Sequence, residues 1–295
     1  MDEVVVDEVV VFERHRAYLR GLAYRMTGSL ADAEDVVQEA YLRWQNADTS
    51  SVNEPRAFLA TLVTRLCLDH LKSARVRRET YVGPWLPEPV LEVGDLTAEA
   101  VSELAQDLSV ALMLALERLS PVERAAFLLH DVFDYDHPQV AEMLGKSPAA
   151  CRKLAERARV HVRESRVRTQ PSEAECSRVI EAFLVAVVRG DASALGEMLV
   201  ADAVLYSDGG GRVTSALKPI LGRDHIVRFI LGVAAKTPFG VTPKVAKVNG
   251  MPGLLLFQAG KLVQTIAFEV QAHGLTAIYS VRNPDKLELQ AKAAH

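Results

Sequence analysis

The sequence predicts a multidomain chain, two all-α modules followed by an α+β domain. Three observations predict it. Apolar residues recur at helical spacing through most of residues 1–168, the segment from Asp134 to Val162 has the layout of a helix-turn-helix, and strand-like runs separated by glycine turns dominate the last third. With 295 residues, 49% hydrophobic and 24% charged, the chain is long enough for two or three domains.

The first module covers residues 1–79, with helices read from about Phe12. Ser29 is placed to cap a helix whose packing face is Val36, Val37, Ala40, Tyr41 and Trp44, which leaves Asp32, Asp35 and Glu39 on one exposed stripe. A turn-forming run from Asn46 to Pro55 follows. The next helix starts apolar at Arg56 and ends basic, with Lys72, Arg75, Arg77 and Arg78 within seven residues. Cations favour a helix C-terminus, yet so dense a group points to a polyanion.

Residues 80–107 form a linker. Its start, Thr80 to Pro89, carries three prolines that favour an extended, stiff backbone, and it also carries Tyr81, Trp85 and Leu86. A solvated spacer seldom needs a tryptophan, so this segment is expected to be a docking element rather than simple cover for a neighbouring domain.

The second module covers residues 108–168. Ser120-Pro121-Val122-Glu123 is a capping box that launches the apolar run Ala125 to Val132. Pro138 opens a short helix carrying Val140, Met143 and Leu144, and Gly145 ends it. Ser147 can then cap the next helix, with Pro148 in its first turn. Cys151, Leu154, Ala155, Ala158 and Val162 make that helix's packing stripe, and Ala149, Arg152, Lys153 and Glu156 lie opposite, free to enter a DNA groove. Arg157, Arg159 and Arg163 flank this surface and are expected to meet phosphates.

The third domain covers residues 172–295. Cys176, Val179, Ile180, Phe183, Leu184 and Val187 form a helical stripe, Gly190-Asp191 turns the chain, and Ala192 to Leu199 makes a second short helix. Strands are then read at Val241–Val248, Leu254–Gln258, Lys261–Val270 and Leu275–Val281, with hairpin signals at Asn249-Gly250, Ala259-Gly260 and His273-Gly274. A curved antiparallel sheet is expected. The triplet Gly209 to Gly211 reads as a place where the backbone closely approaches another segment, with Asp208 and Arg212 able to pair locally or across domains. Asn283 to Leu287 reads as a turn capping the last strand or as a packing element between domains.

The net charge of −4 is low for a free-standing DNA binder, so either a partner supplies grip or binding is held in check. The acid-interrupted N-terminus lacks a basic stretch before an apolar core and does not read as a secretory signal; with no apolar run of membrane-spanning length, a cytoplasmic location without membrane partners is expected. Cys67, Cys151 and Cys176 are scattered and read as buried reduced thiols, with no metal site and no cofactor implied.

Together, GSLADAEDVVQEAYLRW, NEPRAFLATLVTRLCLDHLKSARVRRE and the helix-turn-helix further on resemble region 2 and region 4 of an extracytoplasmic-function sigma factor of the sigma-70 family. The resemblance implies promoter-specific transcription initiation with core RNA polymerase and promoter DNA as partners, the polymerase being met at its clamp coiled coil and flap. Asp32, Glu34, Asp35, Gln38 and Glu39 would dock on the clamp. Asn46, Asn53, Arg56, Arg65, Lys72, Arg75, Arg77 and Arg78 would capture and melt the minus-ten element, and Ser147, Ala149, Arg152, Lys153, Glu156 and Arg157 would read the minus-thirty-five element. Family members often carry a larger apolar residue and an arginine where this recognition helix has Ala155 and Leu154.

By its pattern of helices and strands the third domain resembles the SnoaL-like branch of the NTF2-like superfamily. WLPEP at Trp85 to Pro89, DGGGR at Asp208 to Arg212 and NPDKL at Asn283 to Leu287 are similar to segments of the sigma subgroup carrying such a fused domain. The resemblance implies regulation in cis in place of a separate anti-sigma protein. Trp85, Leu86, Pro87, Asp208, Arg212, Asn283, Pro284, Asp285 and Lys286 would be the regulatory contacts, the linker facing the polymerase or the third domain. A small-molecule ligand of the third domain is a further expectation. Catalysis is not expected, although Tyr206, Asp208, His225 and Glu269 would supply an acid and a base if they converged. A helix-turn-helix regulator acting without polymerase is the competing class.

Overall fold

The computed structural model describes residues 8–49, 52–79, 81–92, 109–163, 172–237 and 240–291. The chain divides into two compact units, Met1–Glu79 with Thr97–Arg166, and Thr80–Leu96 with Val167–His295. The start of the linker thus belongs with the third domain.

In the first unit, α1 (Glu8–Thr27), α2 (Leu30–Gln45) and α3 (Pro55–Glu79) pack around Phe12, Leu19, Leu22, Tyr24, Val37, Leu59 and Cys67, all fully buried. Ser29 caps α2 by accepting the Asp32 amide N–H, as its position suggests. The second module contributes α4 (Val110–Glu117), α5 (Pro121–Phe127), a π-helical turn (Leu128–Val132), α6 (His137–Leu144) and α7 (Pro148–Arg163). The capping box at Ser120 and Glu123 is formed. Gly145 ends α6 in the left-handed region at φ 62°, and α6 begins one residue earlier than its proline suggests because Asp136 caps it reciprocally with Gln139. The π turn has no local sequence signal.

The Ser120 hydroxyl, helped by the Ser120 amide and by Arg157, holds the Glu123 carboxyl below the usual carboxylate range. A depressed folded-state pKa stabilises the fold above the unfolded value and is lost as pH falls through the folded value. The expected result is a thermal midpoint that drops below about pH 4, with Glu123→Gln removing that share of the pH dependence in unfolding scans from pH 7 to 3.

The second unit is a mixed seven-stranded sheet with helices packed against it. Its elements are β1 (Leu91–Glu92), α8 (Glu173–Arg189), α9 (Ala192–Met198), β2 (Leu199–Asp208), β3 (Ile220–Leu221), α10 (Arg223–Ala234), β4 (Val241–Val248), β5 (Met251–Gln258), β6 (Lys261–Gln271), β7 (Gly274–Val281) and α11 (Pro284–Ala291). The strand order is β1-β4-β5-β6-β7-β2-β3. The expected antiparallel sheet needs correction. The strands β4 to β7 form an antiparallel meander, but β2 runs parallel to β7, with Tyr206 opposite Tyr279 and Asp208 opposite Val281. Helix α10 and the strands β2 and β3 before it fall between Leu199 and Val241, where no element is read from the sequence. Ile180 and Phe183 of α8, Leu195 of α9 and Ile226 of α10 pack on Leu205, Leu254, Phe268 and Ile278 of the sheet. Cys176 is partly exposed, unlike buried Cys67 and Cys151. Among the described residues no helix is long and apolar enough to cross a membrane, and no group of three His, Cys, Asp or Glu side chains could hold a metal.

Candidate nucleic-acid interface and linker clamp

On α7 the helical period separates two faces. Cys151, Ala155, Ala158 and Val162 are buried, with Leu154 half-buried, while Ala149, Arg152, Lys153 and Glu156 stand in solvent beside the exposed cap Ser147, which accepts the Ala150 amide N–H. Two of the expected phosphate contacts are engaged within the unit instead. Arg157 pairs with Glu123 at 3.2 Å and Arg159 with Asp131 at 2.6 Å. The Arg163 side chain lies outside the described residues.

On α2, Asp35, Gln38 and Glu39 are exposed. Glu34 pairs with Arg16 at 2.6 Å and Glu39 with Arg43 at 2.9 Å. The expected acidic stripe is interrupted at Asp32, whose carboxylate meets His70 of α3 at 3.2 Å and is partly covered. Beyond α2, the Asn46 side chain donates to the Leu42 carbonyl, and Asn53 is exposed. The Arg56 guanidinium lies 4.3 Å over the Tyr18 ring, Arg65 donates to the Met143 carbonyl at 3.3 Å, and exposed Lys72 pairs with Asp69. The side chains of Arg75, Arg77 and Arg78 lie outside the described residues.

A dense polar cluster lies in the second unit, centred on Asp208 at the end of β2. Its carboxylate is fully buried and accepts four hydrogen bonds: from the Tyr81 hydroxyl at 2.6 Å, the Gly210 amide at 3.0 Å, the Leu86 amide at 2.9 Å and the Lys286 ammonium at 2.7 Å. Lys286 also donates to the Leu86 carbonyl and sits 4.4 Å over the Trp85 ring and 5.0 Å over Tyr81. Asn283 donates to the Tyr81 oxygen at 3.0 Å and accepts the Asp285 amide. Burial, with the Asp208 carboxylate beside it, pushes the Tyr81 phenol far above its usual value, so it remains a donor.

Local sequence explains why these groups meet. A Cβ on Gly210 would lie 2.3 Å from the Asn283 side chain, and one on Gly211 would lie 3.1 Å from Val82, so the glycine run lets the linker and the last helix approach. Pro284 starts α11, which makes NPDKL a helix entry rather than a strand-capping turn and puts Lys286 in the first turn. Leu86 to Pro89 are buried. Asn249, read only as a hairpin residue, fixes the far end: its backbone N–H donates to the Val90 carbonyl, its side-chain oxygen accepts the Val90 N–H, and β1 pairs antiparallel with β4. Asp208 and Arg212 do not pair with each other. Arg212 forms an exposed two-pronged pair with Asp285, 3.1 Å at each oxygen. Its exposure limits its contribution.

The four groups considered for acid–base work do not converge. Tyr206 stacks on Tyr279, whose hydroxyl donates to Glu269, His225 is exposed on α10, and Asp208 is consumed by the linker.

An exposed recognition helix behind a first helical module that ends in a basic helix defines a promoter-reading protein of the sigma-70 type. Residues 11–77 match the Sigma-70 region 2 family and residues 109–162 the Sigma-70, region 4 family. The chain is 40% identical over 292 residues to the ECF RNA polymerase sigma factor SigJ of Mycobacterium tuberculosis, covering 95% of this chain and 93% of the relative. It is 34% identical over 282 residues to the probable ECF RNA polymerase sigma factor SigI of the same species, covering 93% and 92%. The crystal structure of the M. tuberculosis extracytoplasmic function sigma factor SigJ superposes with a TM-score of 0.75 at 36% identity, covering 95% of this chain and 98% of that one. The chain belongs to the extracytoplasmic-function (ECF) family of RNA polymerase sigma factors.

Proposed function

We propose that this sigma factor divides promoter reading between its helical modules, residues 1–79 and 108–168, and is regulated in cis by a non-catalytic SnoaL-like domain, residues 172–295, that holds residues 81–92 of the 80–107 linker. In this reading Asp35, Gln38 and Glu39, with Asp32 and Glu34 beside them, dock on the clamp coiled coil of core RNA polymerase, and the second module faces the flap. The Asn46–Arg56 segment and α3 hold the minus-ten strand. Arg152, Lys153, Ser147, Ala149 and Glu156 face the minus-thirty-five groove. The observation carrying the regulatory part is the buried Asp208 carboxylate bonded at once to the linker and to α11. A carboxylate spent on structure cannot serve as a base, which supports a holding role over turnover. A ligand is not needed for this mechanism; a saturable thermal shift with a candidate small molecule would add one.

The test is in vitro transcription with core polymerase, comparing the full chain with Trp85→Ala and with a chain ending at Arg168. Changed promoter output in either is the expected result, and unchanged output and holoenzyme affinity in both removes the regulatory claim. For the groove contacts, Lys153→Ala should weaken holoenzyme binding at all promoter sequences alike and lower the salt slope by about 1, as for a lost phosphate contact. Arg152→Ala should instead relax preference within the minus-thirty-five element, read by competition binding.

A further inference from the structure

The first turn of α1 reaches the end of α2 and the loop that follows it. Glu8 makes two separate contacts there. Its backbone carbonyl accepts the Trp44 indole N–H at 2.9 Å, and its side-chain carboxylate accepts the Thr49 hydroxyl at 2.6 Å. The second contact has the length of a hydroxyl-to-carboxylate bond, about 2.5–2.7 Å, and such bonds are stronger than those between neutral groups. Phe12, one turn further along α1, is fully buried and meets the Tyr41 ring edge-on at 4.9 Å. Packing of α1 on α2 therefore fixes where the Glu8 side chain starts.

Sequence explains why the loop needs such a tie. From Asn46 to Glu54 it offers only Ala47 and Val52 as apolar side chains, too little burial to offset the cost of ordering it. Its ends are held at Trp44, whose carbonyl accepts the Ala47 N–H at 3.2 Å and whose buried ring lies 5.7 Å from Phe58 in the first turn of α3. Thr49 stands between those ends. Its carbonyl accepts the Val52 N–H at 3.1 Å, and Asn53 is the next residue. A hand on the Thr49 side chain is thus a hand on the turn that delivers Asn53.

We propose that Glu8 is a positioning residue for minus-ten reading: through the Thr49 hydroxyl it sets the loop that carries Asn46 and Asn53, without touching DNA itself. The proposal rests on the assignment of that loop to the minus-ten strand. Recognition side chains work when supporting contacts hold them within about 0.5 Å of their productive geometry. A carboxylate is a poor direct contact for a phosphate backbone, so its use here lies in what it holds. The two contacts of Glu8 are also separable. Glu8→Ala removes the tie to Thr49 and leaves the backbone carbonyl for Trp44, so the loop is released without unpacking the helices.

The test uses core polymerase loaded with full-length variants and a single-stranded DNA pool randomised over a hexamer. Its readout is selectivity, the affinity for the sequence most enriched by the wild type over that for the whole pool. Glu8→Ala and Thr49→Val are expected to lower selectivity about fivefold, the scale of one hydrogen bond, while Thr49→Ser, which keeps the hydroxyl, stays within about twofold of wild type. The thermal midpoint of each variant should stay within about 2 °C of wild type. Wild-type selectivity in Glu8→Ala and Thr49→Val, with Asn53→Ala still lowering it, overturns the proposal and leaves the loop assignment standing. A loss of selectivity that tracks a fall in midpoint, or that Thr49→Ser shares, overturns it in favour of a purely structural contact. Unchanged selectivity in Asn46→Ala and Asn53→Ala as well removes the minus-ten assignment, and the proposal with it.

Discussion

Asp208→Ala is expected to destabilise the second unit by about 3–5 kcal/mol, the usual cost of removing one partner from a buried ion pair. Four donors lose their acceptor at once, and the Lys286 ammonium stays in a site where it is 7% exposed. In a unit of this size the loss corresponds to a fall in thermal midpoint of about 10 °C or more, visible by calorimetry as a shift of one transition. The linker should become cleavable between Tyr81 and Pro89, since Tyr81 and the Leu86 amide both lose their anchor. Asp208→Asn separates the contributions: it can still accept from Tyr81 and Gly210 but offers Lys286 no charge, so it should fall between wild type and alanine. A midpoint within about 1 °C of wild type for Asp208→Ala would show that the clamp is not what holds the linker.

What could be read from the chain and what could not follows the range of the interactions. Ser29, Ser120 and Ser147 announce helix starts because a cap bonds an amide three residues on, and all three caps are formed. The buried stripe of α7 follows from a 3.6-residue period. The clamp joins Tyr81 to Asp208 and Asp208 to Lys286, pairs separated by 127 and 78 residues, and no local period encodes such distances. The linker tryptophan and the glycine run pointed to docking and close approach, but only the family resemblance grouped WLPEP, DGGGR and NPDKL together, and the pairing itself came from the fold: Arg212, adjacent to the glycine run, reaches Asp285, while Asp208 takes Lys286. The parallel pairing of β2 with β7 escaped for the same reason, because hairpin signals specify only neighbours in sequence. Asn249 looked like a turn residue and is one, at φ 51°; that its side chain also holds Val90 depends on a segment 159 residues away.

The contact between Arg124, Glu117 and the Met26 carbonyl should show the same asymmetry in the first unit. Arg124 donates to Glu117 at 2.7 Å and, through the same nitrogen, to the end of α1. Arg124→Ala removes a charge from a site that keeps the Glu117 carboxylate mostly buried and deprives a buried carbonyl of its donor, so a loss of about 3–5 kcal/mol is expected by denaturant unfolding. Glu117→Leu alone should cost less, because the guanidinium retains Met26 and can reach solvent more readily through its length. The combined Arg124→Met and Glu117→Leu replaces both charges with apolar groups of similar volume, and buried pairs exchanged in this way are often neutral or stabilising. The double variant should therefore be more stable than Arg124→Ala by at least about 2 kcal/mol, leaving mainly the cost of the Met26 carbonyl. Equal stability of the two would mean that the lost donor to the Met26 carbonyl, common to both variants, carries the effect, and that neither the Glu117 charge nor the methylenes of Arg124 contribute much. Since Met26 belongs to region 2 and Arg124 to region 4, the same series measured with isolated region 2 absent or present as part of the full chain would show how much of the cost arises between the modules: a pair confined to region 4 loses equally in both settings, whereas a contact that joins the modules loses more in the full chain.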